Sequence, residues 1–102
     1  MIAPLITNNM TQIKSICQKH HVKELYIFGS AARNEMSETS DIDFIIDFSG
    51  VGEMEYADNY FAFIESMKKL LGREVDLVTA KYLKNRFFIK ELNETKQSLY
   101  MA

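Results

Sequence analysis

Phe28-Gly-Ser-Ala-Ala-Arg-Asn-Glu-Met-Ser-Glu-Thr-Ser-Asp-Ile-Asp-Phe44 is the stretch on which the fold turns. Before it runs Leu25-Tyr-Ile-Phe28, aromatic and β-branched and too short for a helix, so it reads as the end of a strand. After it comes a second apolar run, Phe44-Ile-Ile46, continued by Asp47-Phe48. Between the two lie a Gly-Ser turn and a polar segment that closes on two acids, Asp41 and Asp43, flanking Ile42. On a strand from Ile42 to Phe48 side chains alternate faces, so Asp41 and Asp43 point the same way with Cα atoms roughly 6–7 Å apart, and Ile42 points the other way.

Two carboxylates aimed together repel, and they need a cation, a proton or an Arg/Lys partner. Oxygen ligands on a rigid strand suit Mg²⁺, which takes one or two carboxylates and completes its shell with substrate phosphates. The Gly29-Ser30 turn supplies the complementary half of a phosphate site, because glycine lets the backbone approach a ligand closely. Ala31-Ala-Arg33 can open a short helix whose first N–H groups favour an anion.

Gly29-Ser30, ten residues, then Asp41-x-Asp43 resembles the signature of the polymerase-β-type nucleotidyltransferase superfamily. Ala32-Arg33 and Ser40-Asp-Ile-Asp43 narrow the resemblance to the minimal nucleotidyltransferases, small bacterial and archaeal proteins. It extends over about residues 20–80, because Asp76, in Glu74-Val-Asp-Leu-Val78, falls where the family has its third acid. One departure is Asn34, where the family often has glycine; Asn tolerates a left-handed backbone better than most residues, so the turn is expected to survive.

The resemblance implies the nucleotidyltransferase fold, with Asp41, Asp43 and Asp76 as catalytic residues holding two Mg²⁺ ions, and Gly29, Ser30, Arg33 and Ser40 as nucleotide-binding residues, with ATP as substrate. It further implies pairing with a HEPN-type ribonuclease toxin, onto a tyrosine of which the enzyme transfers AMP, acting as antitoxin. Two other readings stand beside this one: an antitoxin that neutralises by contact alone, and a transferase acting on a small hydroxylated molecule. Several residues carry an alternative role. Arg33 serves either a phosphate or a surface salt bridge with Asp47 or Glu35; Ser30 binds phosphate or caps a helix; Ser40 caps or orients the acid loop; Asp76 is a third metal ligand or a base for the attacking hydroxyl, and Glu74 faces the same side and competes with it.

At 102 residues, 47% hydrophobic and 25% charged, the chain reads as one ordinary globular domain spanning 1–102. A net charge of -2 argues against direct nucleic-acid binding as the main activity. The single Cys17 cannot form an internal disulfide, which fits a reducing cytoplasm. The sequence carries no run of the ~18 apolar residues a membrane helix needs and no secretion signal, so no membrane is expected. The oligomeric state, a homo-oligomer included, stays open.

The remaining elements follow from periodicity. Residues 1–6 read as a loose start, and Thr7 or Asn8 caps a helix to about His20 with Ile13, Ile16 and Cys17 at helical spacing, Met10 and His20 continuing the stripe, and His20-His21 a solvated end. Lys23 to Phe28 and Ile42 to Phe48 are strands, with a short helix over Ala31 to Asn34 between them. Glu53 to Leu71 is the longest helix, with a core stripe of Met54, Ala57, Phe61, Ile64, Met67 or Lys68, and Leu71, thickened by Tyr56, Tyr60 and Phe63. Gly72 ends it as a C-cap. Arg73 to Val78 is the third strand, with Arg73 also favouring the preceding helix dipole. Thr79 caps one helical turn over Ala80 to Leu83, and Leu83, Phe87, Phe88, Leu92 and Leu99 mark a helical C-terminal region from about Asn85 to Glu94, extendable beyond. The expected architecture is α/β (α+β): a small mixed sheet of three or more strands with helices mainly on one face.

Overall fold

The computed structural model describes residues 2–37, 39–79 and 84–102. In chain order these form α1 (Pro4–Thr7), α2 (Met10–Lys19), β1 (Val22–Phe28), a 3-10 turn (Gly29–Ala31), β2 (Ile42–Phe48), α3 (Glu53–Leu71), β3 (Val75–Thr79), α4 (Arg86–Thr95) and β4 (Gln97–Met101). The expected turn over Ala80 to Leu83 lies outside the described residues.

The two apolar runs that bracket the motif pair antiparallel, with Ile27 opposite Phe44 and Phe28 opposite Asp43. From β2 the chain crosses over through α3 and returns as β3, parallel to β2, because a parallel neighbour cannot be reached by a tight turn. Asp43 is then in register with Asp76. The strand order is β3-β2-β1-β4, a mixed sheet, as expected.

Alternation decides the core. Ile42, Phe44 and Ile46 are fully buried, together with Leu25 and Ile27 of β1, Ile13 and Cys17 of α2, and Phe63 and Met67 of α3. Each of these Ile, Leu, Phe and Met side chains contributes roughly 1.5–3 kcal/mol by leaving water. Cys17 is packed in this core, and burial pushes its thiol up to about 12, so it stays an inert thiol. A register irregularity between Val22 and Glu24 lets Val22 share the buried side with Leu25, three residues on. Gly72 takes the left-handed C-cap at φ 65°, its N–H bonding the Lys68 carbonyl at 2.8 Å, as expected.

Five expectations are corrected. The first residues are not loose: Pro4–Thr7 is a helical turn, Ile6 is completely buried, and the Ala3 N–H reaches the Ala31 carbonyl at 2.8 Å. Neither Thr7 nor Asn8 caps α2; Asn9 occupies that position and its side-chain amide bonds the Leu5 carbonyl at 2.7 Å. His20 is not a solvated helix end: it is 7% exposed, packs edge-on against Phe63, and its Nδ1 lies 2.9 Å from the Ile16 carbonyl. The inner face of α3 keeps Tyr60, Phe63, Ile64, Met67 and Leu71 of the expected stripe, but is narrower than expected: Ala57 is exposed, and Met54 and Phe61 are 92% and 62% exposed. Apolar residues surround this helix, so its period does not fix the width of the stripe, and only packing decides it. Finally, the C-terminal helix ends at Thr95, as expected, but Leu99 is not part of a helical region: it lies on β4, antiparallel to β1. A five-residue strand with one buried apolar side chain, paired with a segment some seventy residues earlier, has little local signal.

The α4 start is as expected: Asn85 caps it, its Oδ1 accepting from the N–H groups of Phe87 and Phe88. Among the described residues no helix is long and apolar enough to cross a membrane.

Candidate active site

The site lies where the chain leaves β1 and enters β2. Gly29 has φ +71°, and a Cβ there would meet Asp43 Oδ2 at 2.8 Å. Both the left-handed backbone and the close carboxylate demand glycine. The turn that follows is 3-10 over Gly29–Ala31 rather than a helix over Ala31 to Asn34, and Asn34 carries a positive φ of 57°, so asparagine does supply the left-handed residue. The Ser30 carbonyl closes this turn by accepting from the N–H groups of Arg33 (3.2 Å) and Glu35 (2.8 Å).

Asp43 is half-buried on β2, directly across from Asp76 on β3, with exposed Asp41 two residues earlier. Its carboxyl is pushed up, first by burial, then by the charge of Asp76, then by that of Asp41. Among the described residues no ion pair falls on Asp41, Asp43 or Asp76. The sequence-predicted acids are thus brought to one end of one sheet face and repel across it. Among the described residues no three acid, His or Cys side chains form a ready metal cage. The donor set still fits Mg²⁺, which needs only one or two carboxylates when phosphate oxygens and water complete its shell.

Glu74 and Asp76 are both exposed; Glu74 pairs with Lys68 at 3.3 Å, and Asp76 takes the register position beside Asp43. Arg33 Nε contacts Glu35 Oε2 at 3.2 Å, with both side chains more than half exposed. Ser40 orients the acid loop: its Oγ accepts from the Ser37 N–H at 2.9 Å and lies 2.9 Å from the Ser37 hydroxyl.

Three residues near the site were read differently from the sequence. Arg73, taken for a helix-dipole cation, sends Nη2 to the carbonyls of Ser37 (2.5 Å) and Ser40 (2.6 Å), tying β3's start to the acid loop. Tyr56 and Tyr60, taken to thicken a core stripe, also hold the edge strand β3: Tyr60 OH donates to the Leu77 carbonyl at 2.6 Å and Tyr56 OH to Thr79 Oγ1 at 3.2 Å. The Tyr60 hydroxyl is pushed up by burial, then by the nearby charge of Asp76, then by Tyr56. No local pattern signals such contacts, because their partners, backbone carbonyls and the Thr79 hydroxyl, lie far along the chain. A groove of about 310 Å³ opens beside Asp41, between Thr39, Ser40, Lys68, Arg73 and Glu74.

A glycine turn wedged against the middle acid of three is the arrangement expected of a nucleotide-transfer site, and the family model described as a nucleotidyltransferase domain matches residues 10–99. The chain belongs to the nucleotidyltransferase family. This nucleotidyltransferase is 36% identical over 93 residues to MJ1379 of Methanocaldococcus jannaschii, a candidate protein adenylyltransferase, covering 83% of this chain and 92% of that one. Its structure is similar to that of a candidate minimal nucleotidyltransferase, at 29% identity and a TM-score of 0.67, covering 93% of this chain and 94% of the other. It also shares its fold, at 15% identity and a TM-score of 0.64, with a chain from the complex of tri-AMPylated Shewanella oneidensis HEPN toxin with MNT antitoxin, covering 94% of this chain and 72% of that one.

Proposed function

We propose that this nucleotidyltransferase, acting as one domain over 1–102, transfers AMP from ATP in the presence of Mg²⁺ onto a tyrosine of a HEPN-type ribonuclease toxin and so acts as its cytoplasmic antitoxin. The observation that carries the transfer is Gly29 seated against Asp43, with Asp76 in register beside it. The adenylyltransferase relative and the AMPylated toxin complex support the acceptor class.

In this reading the Gly29-Ser30 turn binds the triphosphate, and Arg33 exchanges Glu35 for a phosphate oxygen, for which a guanidinium is well suited. Asp41 and Asp43 would hold both metal ions and Asp76 the one nearer the acceptor; the pair of ions supplies Lewis acidity for the attacking and leaving oxygens. The acceptor hydroxyl gives its proton to the Asp76 carboxylate, its oxygen bonds the α-phosphorus in line, the bond to the bridging oxygen breaks, and pyrophosphate leaves with that electron pair. Asp43 must be ionised to take part, so its raised pKa, caused first by burial, makes it a poorer ligand as the pH falls.

Mass spectrometry of the neighbouring-gene product after incubation with this protein, ATP and Mg²⁺ tests the reading. Gains of one or more AMP units on a tyrosine, absent with an Asp41→Asn/Asp43→Asn double variant, are the expected result. A stable complex with no gain would instead establish neutralisation by contact. Neither complex nor gain would turn the search to small hydroxylated acceptors.

A further inference from the structure

Asp41 lies just outside β2 on an exposed loop, yet the transfer reading asks it to hold a fixed position toward a divalent cation. Ser37 and Ser40 close a turn on each other: the Ser37 N–H reaches Ser40 Oγ at 2.9 Å, the Ser40 N–H reaches the Ser37 carbonyl at 3.3 Å, and the hydroxyls lie 2.9 Å apart. These are neutral bonds at the surface, and water competes for them. The remaining tie is of another kind. A single guanidinium nitrogen, Nη2 of half-buried Arg73, donates to both carbonyls of the turn, at 2.5 and 2.6 Å. Bonds from a charged donor are shorter and roughly twice as strong as neutral ones.

The Ser40 carbonyl belongs to the peptide plane that carries the Asp41 nitrogen, and the peptide is rigid. Holding that oxygen therefore orients the backbone entering Asp41. One residue later the Ile42 N–H bonds the Glu74 carbonyl at 2.9 Å. Asp41 is bracketed by two adjacent residues, Arg73 and Glu74, of the segment that leads directly into Asp76. One short segment thus sets both the acid loop and the third acid.

We propose that Arg73 is a positioning residue, whose guanidinium clamps the Ser37–Ser40 turn so that Asp41 and Asp43 present a preorganised carboxylate pair to the divalent cation. This rests on the transfer reading above. Groups that orient metal ligands without touching the metal typically carry 10–100-fold of the affinity.

Mn²⁺ serves as the probe, its free concentration followed by electron paramagnetic resonance during titration of the protein with a non-hydrolysable ATP analogue. Wild type is compared with Arg73→Met, Arg73→Lys and the Asp41→Asn/Asp43→Asn double variant, with a melting temperature for each. Arg73→Met is expected to weaken Mn²⁺ binding roughly tenfold or more. Arg73→Lys keeps the cation but loses the planar fork, and an intermediate loss is expected. A purely structural arginine would lower the melting temperature and leave the affinity of the folded variants unchanged. Wild-type affinity in both variants, or in Arg73→Lys alone should Arg73→Met not fold, overturns the proposal. Equal affinity of wild type and the double acid variant overturns the metal reading and this proposal with it, and is told apart because it appears without any change at Arg73.

Discussion

The two faces of β2 come from one alternating heptapeptide, Ile42–Phe48, and are put to opposite uses. Toward α2 and α3 stand Ile42, Phe44 and Ile46, all fully buried. Toward the other side stand Asp43, half-buried among acids, and Ile45, only 4% exposed. The second face is therefore acidic at one end and apolar in its middle. The difference teaches where a small fold can place repelling carboxylates: at the entrance of a strand whose other face is anchored deeply enough to hold them. The buried face supplies stability, and the acidic end spends part of it.

The largest effect that would sharpen this contrast is on the buried side. Phe44→Ala is expected to cost about 3–5 kcal/mol, enough to threaten the fold of so short a chain, read as the midpoint of denaturant unfolding. On the acidic side Asp43→Asn should do the reverse: a folded protein whose nucleotidyl transfer falls roughly 10²–10³-fold, the scale of removing one preorganised group from an active site. A folded Asp43→Asn protein with near-normal transfer would break the contrast and remove Asp43 from the chemistry.

A smaller effect belongs to the hinge between the faces. Gly29→Ala places a Cβ 2.8 Å from Asp43 Oδ2 and a side chain at φ +71°. It should cost about 1–2 kcal/mol from the backbone alone, with transfer reduced because the carboxylate must move. Equal thermal stability of Gly29→Ala and wild type would show that the close approach is not maintained in solution.

The fourth expectation concerns pH. Because the carboxyl of Asp43 is raised in the folded chain, folding favours its protonated form. That stabilisation is complete below the ordinary value of 3.8 and is lost as pH rises through the folded value, so near neutral pH the ionised group destabilises the metal-free protein. Asp43→Asn should then melt higher than wild type near neutral pH, with the gain shrinking as the pH falls toward 3.8. A gain that is constant with pH would remove charge repulsion as its cause. The smallest effect is on α3: Met54→Ala, at 92% exposure, should change stability by no more than about 0.5 kcal/mol. A cost of several kcal/mol, measured by denaturant unfolding, would restore the wider helix stripe expected from sequence.

Much of the site was legible because it is local. Gly29, Asp41 and Asp43 lie within fifteen residues, and strand alternation alone puts the acids on one side. Asp76 needed the resemblance, since a lone acid on a strand has no signal until its neighbour is known. Arg73, Tyr56 and Tyr60 were out of reach for the same reason: each bonds an atom far along the chain, a backbone carbonyl for Arg73 and Tyr60 and the Thr79 hydroxyl for Tyr56. Tyr60 to the Leu77 carbonyl, seventeen residues on, is the nearest such case. The width of the inner face of α3 and the burial of His20 failed differently, because apolar residues on several faces satisfied one period.

By itself, then, the sequence determined the strand–turn–strand motif, its paired acids, the glycine turn, the mixed helix-and-strand order and the membership these imply. Those properties reside in residue types and spacings along a few turns of chain, where sterics and alternation act locally. Only the tertiary structure decided that β4 completes the sheet beside β1, how much of the α3 stripe is inward, and that Arg73 holds the loop before Asp41. These depend on pairing and packing between segments far apart in the chain, where many partners compete and the final choice is made by burial and hydrogen bonding together.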